Sequence, residues 1–321
     1  FHRLALVVTD EQHRFGVAQR ATLAAKGDSP HVLVMSATPI PRTLALIIYG
    51  DLDVSVIDEL PPGRTPVETY VVREDKRARM YNFVRRLVGE GRQVYIICPA
   101  VEENTEGGMQ TAEWEGDGPA LDLKAVTTYA KKLQTEVFPD LRVGLVHGKM
   151  KPREKDAVMT AFAGGELDVL VSTTVIEVGV DVPNAALMVV ENADRFGLSQ
   201  LHQLRGRVGR GRHQSYCVLV TSTRNPDSRA RLKVLTRTTD GFQIAEEDLK
   251  LRGPGDFFGQ RQHGLPQLRI ADLAGDMRAL KEAQLAAREL LERDPGLKRP
   301  EHAPLLKQIH RLFEQHGDMF N

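Results

Sequence analysis

Leu4-Ala5-Leu6-Val7-Val8-Thr9-Asp10-Glu11-Gln12-His13 is the stretch on which the fold turns. A short aliphatic run without polar alternation reads as a strand buried in a parallel sheet. An acidic pair at the end of such a strand is where a nucleotide-hydrolysing domain holds its magnesium ion and orients the attacking water. Taken alone, Asp10 and Glu11 read equally well as a solvated loop pair. His13 has no second His or Cys at ligand spacing, so a polar relay fits it better than a zinc ligand. No glycine-rich phosphate loop precedes the strand. The chain is therefore expected to be part of an ATP-driven machine whose main phosphate-binding element lies upstream.

The 321 residues suffice for two or more units, each with its own core. Hydrophobic residues make up 41% and charged residues 27%, as in ordinary globular proteins. No apolar run reaches the ~18 residues of a membrane span, and Phe1-His2-Arg3 does not open a signal peptide. Cys98 and Cys217 lie in apolar strand-like runs and read as buried free thiols of a reducing cytosol. Acidic and basic residues balance at 43 each, so a nucleic-acid surface would be a stripe rather than the whole protein. Arg205, Arg207, Arg210, Arg212 and His213 cluster, and Arg229, Arg231, Lys233 and Arg237 follow.

Strands are expected at residues 4–9 and 31–35, with helices at 16–25 and 42–49. That is too little for a complete doubly wound domain and matches the second half of one. Pro61-Pro62-Gly63-Arg64-Thr65-Pro66 is a linker, since three prolines and a glycine in six residues oppose both helix and ladder. A fresh α/β alternation follows. Strands are expected at 69–72, 93–98, 142–146, 168–172, 186–190 and 215–220, and helices at 76–88, 121–137 and 152–162. This implies a mainly parallel sheet covered on both faces. Residues 102–119, rich in Glu and Gly, read as a solvated insertion. Two short helices are expected at 229–238 and 242–251, then a glycine-rich loop, then a helical tail broken near Pro295 and Pro300. The expected domains are 1–60 (remnant of a first lobe), 61–68 (linker), 69–224 (second lobe), 225–268 (helical hairpin and loop) and 269–321 (helical segment).

Three further motifs carry chemistry. Ser36-Ala37-Thr38 follows the second strand, where hydroxyls can reach the acidic pair; an ordinary turn before Pro39 is the alternative. Gln203-Leu204-Arg205-Gly206-Arg207-Val208-Gly209-Arg210-Gly211 repeats arginine between glycines. If that segment is helical, Arg207 and Arg210 share a face. Two guanidinium forks on one face suit a polyphosphate. In Ser172-Thr173-Thr174 to Asp181-Val182-Pro183, Thr173 and Thr174 can donate to a nucleic-acid phosphate. There Gly179 allows close backbone approach, and Asp181 can hold a ribose hydroxyl or an arginine.

Together these elements resemble the second half of a superfamily-2 helicase motor. Asp10–His13 resembles motif II, Ser36–Thr38 motif III, Val94–Cys98 motif IV, Thr173–Asp181 motif V and Gln203–Arg210 motif VI. His147-Gly148-Lys149-Met150 resembles the second-lobe loop that touches the DNA backbone. Asp10–Val17 and Ala37–Thr43 narrow the likeness to two bacterial double-strand DNA translocase families, RecG and Mfd. Gln12, Tyr49–Ser55, Glu59–Arg64 and Ile270–Leu273 favour RecG, with Mfd as the nearest relative.

That resemblance implies a RecA-like parallel-sheet domain, preceded by a partial first lobe and followed by a helical hairpin and tail. It implies ATP and Mg2+ as cofactors of the full-length protein, neither expected to be bound by this chain alone. It implies branched double-stranded DNA as partner, a monomer, and a bacterial cytoplasmic, nucleoid-associated setting. Whether the insertion or tail binds single-strand-binding protein stays open. Asp10 would hold magnesium and Glu11 position the water. Arg207 and Arg210 would contact phosphates, with Arg210 the favoured finger. Gln203 would relay between nucleotide and DNA, and His13, Ser36 and Thr38 would couple nucleotide state to movement. Thr173, Thr174, His147 and Lys149 would meet DNA. Arg231, Arg252 and Gln262 would link motor closure to a loop acting on duplex. The chain alone is expected not to hydrolyse ATP at a useful rate. An Mfd-like translocase or a non-catalytic DNA-binding module are the alternatives.

Overall fold

The computed structural model describes residues 4–10, 30–37, 55–57, 59, 64–99, 123–173, 181–252 and 277–316. They fall into two compact units, one within Phe1–Pro39 and Ile57–Ile244, the other within Ile40–Val56 and Ala245–Asn321. The helices expected at 16–25 and 42–49, the insertion at 102–119 and the glycine-rich loop lie outside the described residues.

Strands β1 (Leu6–Thr9) and β2 (His31–Val34) pair in parallel with Thr9 opposite Val34. The ladder runs one step further, Met35 N donating to Thr9 O at 2.8 Å. Val7 and Thr9 are buried, whereas Leu6 and Val8 are exposed. Among the described residues this strand is thus covered on one face, not two as its apolar run suggests.

The larger sheet is built from β3 (Glu68–Val72), β4 (Gln93–Ile97), β5 (Val143–Val146), β6 (Val169–Ser172), β7 (Ala185–Val190) and β8 (Tyr216–Val220). Its order is β3-β8-β7-β4-β6-β5 and every pair is parallel. The interior strands are apolar except at two strand ends, Gln93 of β4 and Ser172 of β6, because both faces are packed. Along β4, Tyr95 and Ile97 enter one core while Val94, Ile96 and, just past the strand, Cys98 enter the other, the two-residue period of a pleated strand.

Helices α1 (Arg77–Gly89) and α2 (Leu123–Lys132) cover one face, through Met80, Val84, Leu87, Val126 and Ala130. A π-helical turn, Leu133–Val137, continues α2. Helices α3 (Pro152–Ala163), α4 (Leu198–Arg205) and α5 (Pro226–Arg237) cover the other face, through Phe162, Leu198, Leu201, Leu232 and Leu235. Each large side chain buried this way contributes roughly 1.5–3 kcal/mol. Pro opens both α3 and α5, where its missing N–H costs nothing. Asn225 caps α5, its Oδ1 accepting from Asp227 N at 2.8 Å. The result is a three-layer α/β arrangement, a parallel sheet covered by helices on both faces.

Helix α6 (Gly241–Arg252) follows α5 after three residues, and its Ile244 joins the core on one face of the larger sheet. In the second unit, helices α7 (Met277–Arg293) and α8 (Ala303–His316) flank a 3-10 turn, Pro300–His302. Asp294 organises the break. Its carboxylate accepts from Lys298 N and Arg299 N, both at 3.0 Å, and meets His302 Nδ1 at 2.8 Å.

Candidate functional site

The C-terminal ends of β1 and β2 lie side by side by register, and they carry Asp10 and Ser36. Both are exposed. Glu11, His13 and Thr38 lie outside the described residues, as do Thr174, Gly179 and Gln262. The side chain of Arg252 is likewise outside them.

The arginine segment is not one helix. Helix α4 ends at Arg205, with Gly206 as its C-cap. Arg207 N and Val208 N then close tight turns onto Leu204 O and Arg205 O. Gly209 takes a φ of +76°, a region that L side chains rarely adopt. Arg207 and Arg210 therefore project from a loop rather than from a helix face, because glycine both ends the helix and turns the chain. Gln203 stays on α4, half-buried.

That loop is packed closely on two sides. A Cβ on Gly209 would lie 2.7 Å from Val67 Cγ2, and one on Gly211 would lie 2.3 Å from Pro183 O. Arg210 Nη1 lies 3.4 Å from Asp181 Oδ1, and its Nε donates to Gly206 O at 3.3 Å. Asp181 thus stands against an arginine of this loop. Tyr95 lies beneath in their field. Burial pushes its hydroxyl up to about 12, with Arg210 and Arg207 pulling it down and Asp181 pushing it up.

Arg205 departs from the surface cluster in which its spacing put it. It is 3% exposed. Its Nη1 donates to Leu235 O at 2.9 Å and to Thr238 O at 3.0 Å. These are carbonyls at the end of α5, which lack intrahelical donors. Its Nη2 lies 2.9 Å from His202 Nδ1. Burial, then Arg205, lowers His202 to about 4, so the ring is neutral at pH 7 and accepts at Nδ1. Arg231 is also buried, at 8%, and its Nη2 donates to Asp194 O at 2.7 Å. As placed, it holds the turn after β7.

Ends of β5 and β6 are adjacent, Val146 opposite Ser172. They set His147 beside Thr173, which is buried and donates its N to Val146 O at 3.3 Å. Lys149 is exposed on the same loop. Gly148 O accepts from Lys155 Nζ at 2.8 Å.

One network had no signal in the sequence. Glu191, at the end of β7, is 4% exposed. It accepts from Arg77 of α1 and, at 2.6 Å, from the Tyr129 hydroxyl of α2. Among the described residues, no three His, Cys, Asp or Glu side chains converge as a metal site. Both cysteines are free and buried.

Residues 75–212 match the helicase conserved C-terminal domain. Residues 238–318 match domain 3, C-terminal, of the ATP-dependent DNA helicase RecG. A Synechocystis protein named ATP-dependent DNA helicase RecG is 56% identical over 98% of this chain and 36% of its own length. The Bacillus subtilis protein of that name is 49% identical over 99% of this chain and 45% of its own length. A solved structure of RecG bound to a three-way DNA junction superposes with a TM-score of 0.64 at 47% identity. It covers 88% of this chain and 34% of its own. The chain thus spans less than half the length of these relatives.

Proposed function

The chain belongs to the RecG family, and from that premise we propose that it is the motor-side part of an ATP-driven double-strand DNA translocase that remodels branched DNA. The observation that carries this reading is the loop between α4 and β8 that holds Arg210 against Asp181. Guanidinium groups on a glycine-turned loop can reach a triphosphate and stabilise the charge of phosphoryl transfer. Asp181 keeps Arg210 in register until a phosphate takes its place. Arg207, half-buried on the same turn, gives a second donor.

Asp10 offers an exposed carboxylate at a strand end, a hard oxygen donor of the kind Mg2+ takes. The ion would supply Lewis-acid neutralisation of the phosphate oxygens when bound. Ser36, one residue past the position opposite Asp10, suits a relay between the acidic pair and the rest of the lobe. Glu11 remains the residue assigned to orient the water.

DNA would meet the loop after β5 through His147 and Lys149, with the buried Thr173 bracing that loop from the end of β6 rather than touching DNA itself. Contacts to phosphate rather than to bases suit movement along any sequence. Remodelling of forks and four-way junctions then follows from translocation on duplex arms. The protein would act as a monomer on chromosomal DNA in the bacterial cytoplasm. The match of residues 238–318 to a RecG domain weighs for this reading over an Mfd-like one. A module that had lost catalysis would have no need of Asp181 and Arg210 in contact.

The test is DNA-stimulated ATP hydrolysis by the full-length protein with Arg210→Ala. A loss of roughly 10³-fold or more in kcat is expected, the scale of an arginine finger. Hydrolysis at the unmodified rate would refute the assignment.

A further inference from the structure

Residues 64–67 lead into the edge strand β3, and with Glu68 they meet the arginine loop and its exit at Gly206, Gly209, Gln214 and Ser215. Glu68 N donates to Ser215 O at 3.0 Å. Gln214 Nε2 donates to Pro66 O at 2.9 Å. Val67 fills the space that a Cβ on Gly209 would need. At the head of this contact stands Arg64. Its Nε donates to Gly209 O at 3.1 Å and its Nη2 to Gly206 O at 3.3 Å.

The two carbonyls flank the turn that carries Arg207. Having left the helix, this turn lacks the ladder that would otherwise hold it. One planar guanidinium donates to both oxygens at once, which a lysine ammonium on a flexible stem does poorly. The carbonyl of Gly206 is shared, since Arg210 Nε also donates to it at 3.3 Å. A continuous path therefore runs from Arg64 through Gly206 O to Arg210 and on to Asp181. Arg64 lies more than 140 residues before the loop that it holds. It belongs to the Pro-rich segment that joins the expected first and second lobes.

We infer that Arg64 is a positioning residue for ATP hydrolysis: by bridging Gly206 O and Gly209 O it sets the turn from which Arg207 and Arg210 reach the phosphates, and it ties their reach to the lie of the interlobe linker. This rests on the reading of those two arginines as phosphate contacts. Movement of the linker as the lobes open or close then moves the arginine loop directly.

Two measurements test it. In the full-length protein, Arg64→Ala should lower the kcat of DNA-stimulated ATP hydrolysis about tenfold, with KM for ATP within about twofold. Arg64→Lys, keeping one donor, should recover part of that loss. In an Arg210→Ala background, Arg64→Ala should add little, since both act on one arginine. In the chain itself, without nucleotide, Arg64→Ala should speed hydrogen exchange at residues 206–213 about tenfold while β4 and β7 keep their protection. Should Arg64→Ala speed exchange in β4 and β7 as well, Arg64→Gln replaces it under the same criteria. An unaltered kcat, or unaltered exchange in the loop, overturns the inference. If instead Arg207→Ala and Arg210→Ala each hydrolyse ATP normally, the phosphate-contact reading has failed. The exchange result would then report the clamp alone.

Discussion

Arg77 places both terminal nitrogens on the Glu191 carboxylate, Nη1 2.7 Å from Oε1 and Nη2 2.8 Å from Oε2. Such a fork is the strong form of the ion pair. Here it fastens the start of α1 to the end of β7, with the Tyr129 hydroxyl of α2 on the same carboxylate. The side chain of Glu191 is only 5% exposed, so loss of its partner leaves a charge in the core. Arg77→Ala should therefore cost roughly 3–5 kcal/mol in urea unfolding. Replacing both residues, Arg77→Met with Glu191→Leu, should cost less than the single change. A double variant as unstable as the single would show that geometry, not the stranded charge, matters.

His202 makes the fold acid-sensitive in a defined window. Its unfolded pKa is about 6.5, and burial and Arg205 lower the folded value to about 4. The folded state binds fewer protons between those values. Its stabilisation is thus complete above pH 6.5 and declines as pH falls towards 4, by up to about 3 kcal/mol. His202→Asn keeps an acceptor for Arg205 and cannot titrate. Melting temperatures measured from pH 7 to pH 4 should fall less steeply in that variant. Parallel curves would remove His202 as the cause.

Gly209 and Gly211 should tolerate alanine differently. At Gly209 the penalty has two parts, the positive φ and the contact with Val67. The first is roughly 1–2 kcal/mol, and only the second is relieved by Val67→Ala. At Gly211 the obstacle is the backbone oxygen of Pro183, which no side-chain change removes. Chemical denaturation of Gly209→Ala with and without Val67→Ala should separate the two parts. Full rescue by Val67→Ala would show that the left-handed turn carries no cost.

Lys149 should contribute to DNA binding through charge alone. In the full-length protein on a forked duplex, Lys149→Ala should reduce the slope of log K against log salt by about 1. Its effect should be the same for unrelated sequences. Unchanged salt dependence would take Lys149 out of the interface.

Much of the architecture was legible in the residues because an interior parallel strand must be apolar on both faces. The runs at β4, β6 and β7 are therefore continuous, and the observed strands begin or end within a residue of the expected bounds. Helix α4 was missed. It has eight residues with glycine at both ends, and His, Gln and Arg interrupt its apolar spacing. Its early end also undid the idea that Arg207 and Arg210 share a helix face.

What the chain determined by itself is local: the order of strands and helices, the glycine turn, and the presence of several arginines in one short segment. Only the tertiary structure told these arginines apart. Arg205 is buried because the end of α5 presents bare carbonyls to it, whereas Arg210 meets Asp181 at the surface. Arg64 finds its loop across 145 residues. Identical guanidinium groups have identical local propensities. Their burial and partners are decided by which distant backbone atoms lack a hydrogen bond once the sheet has closed.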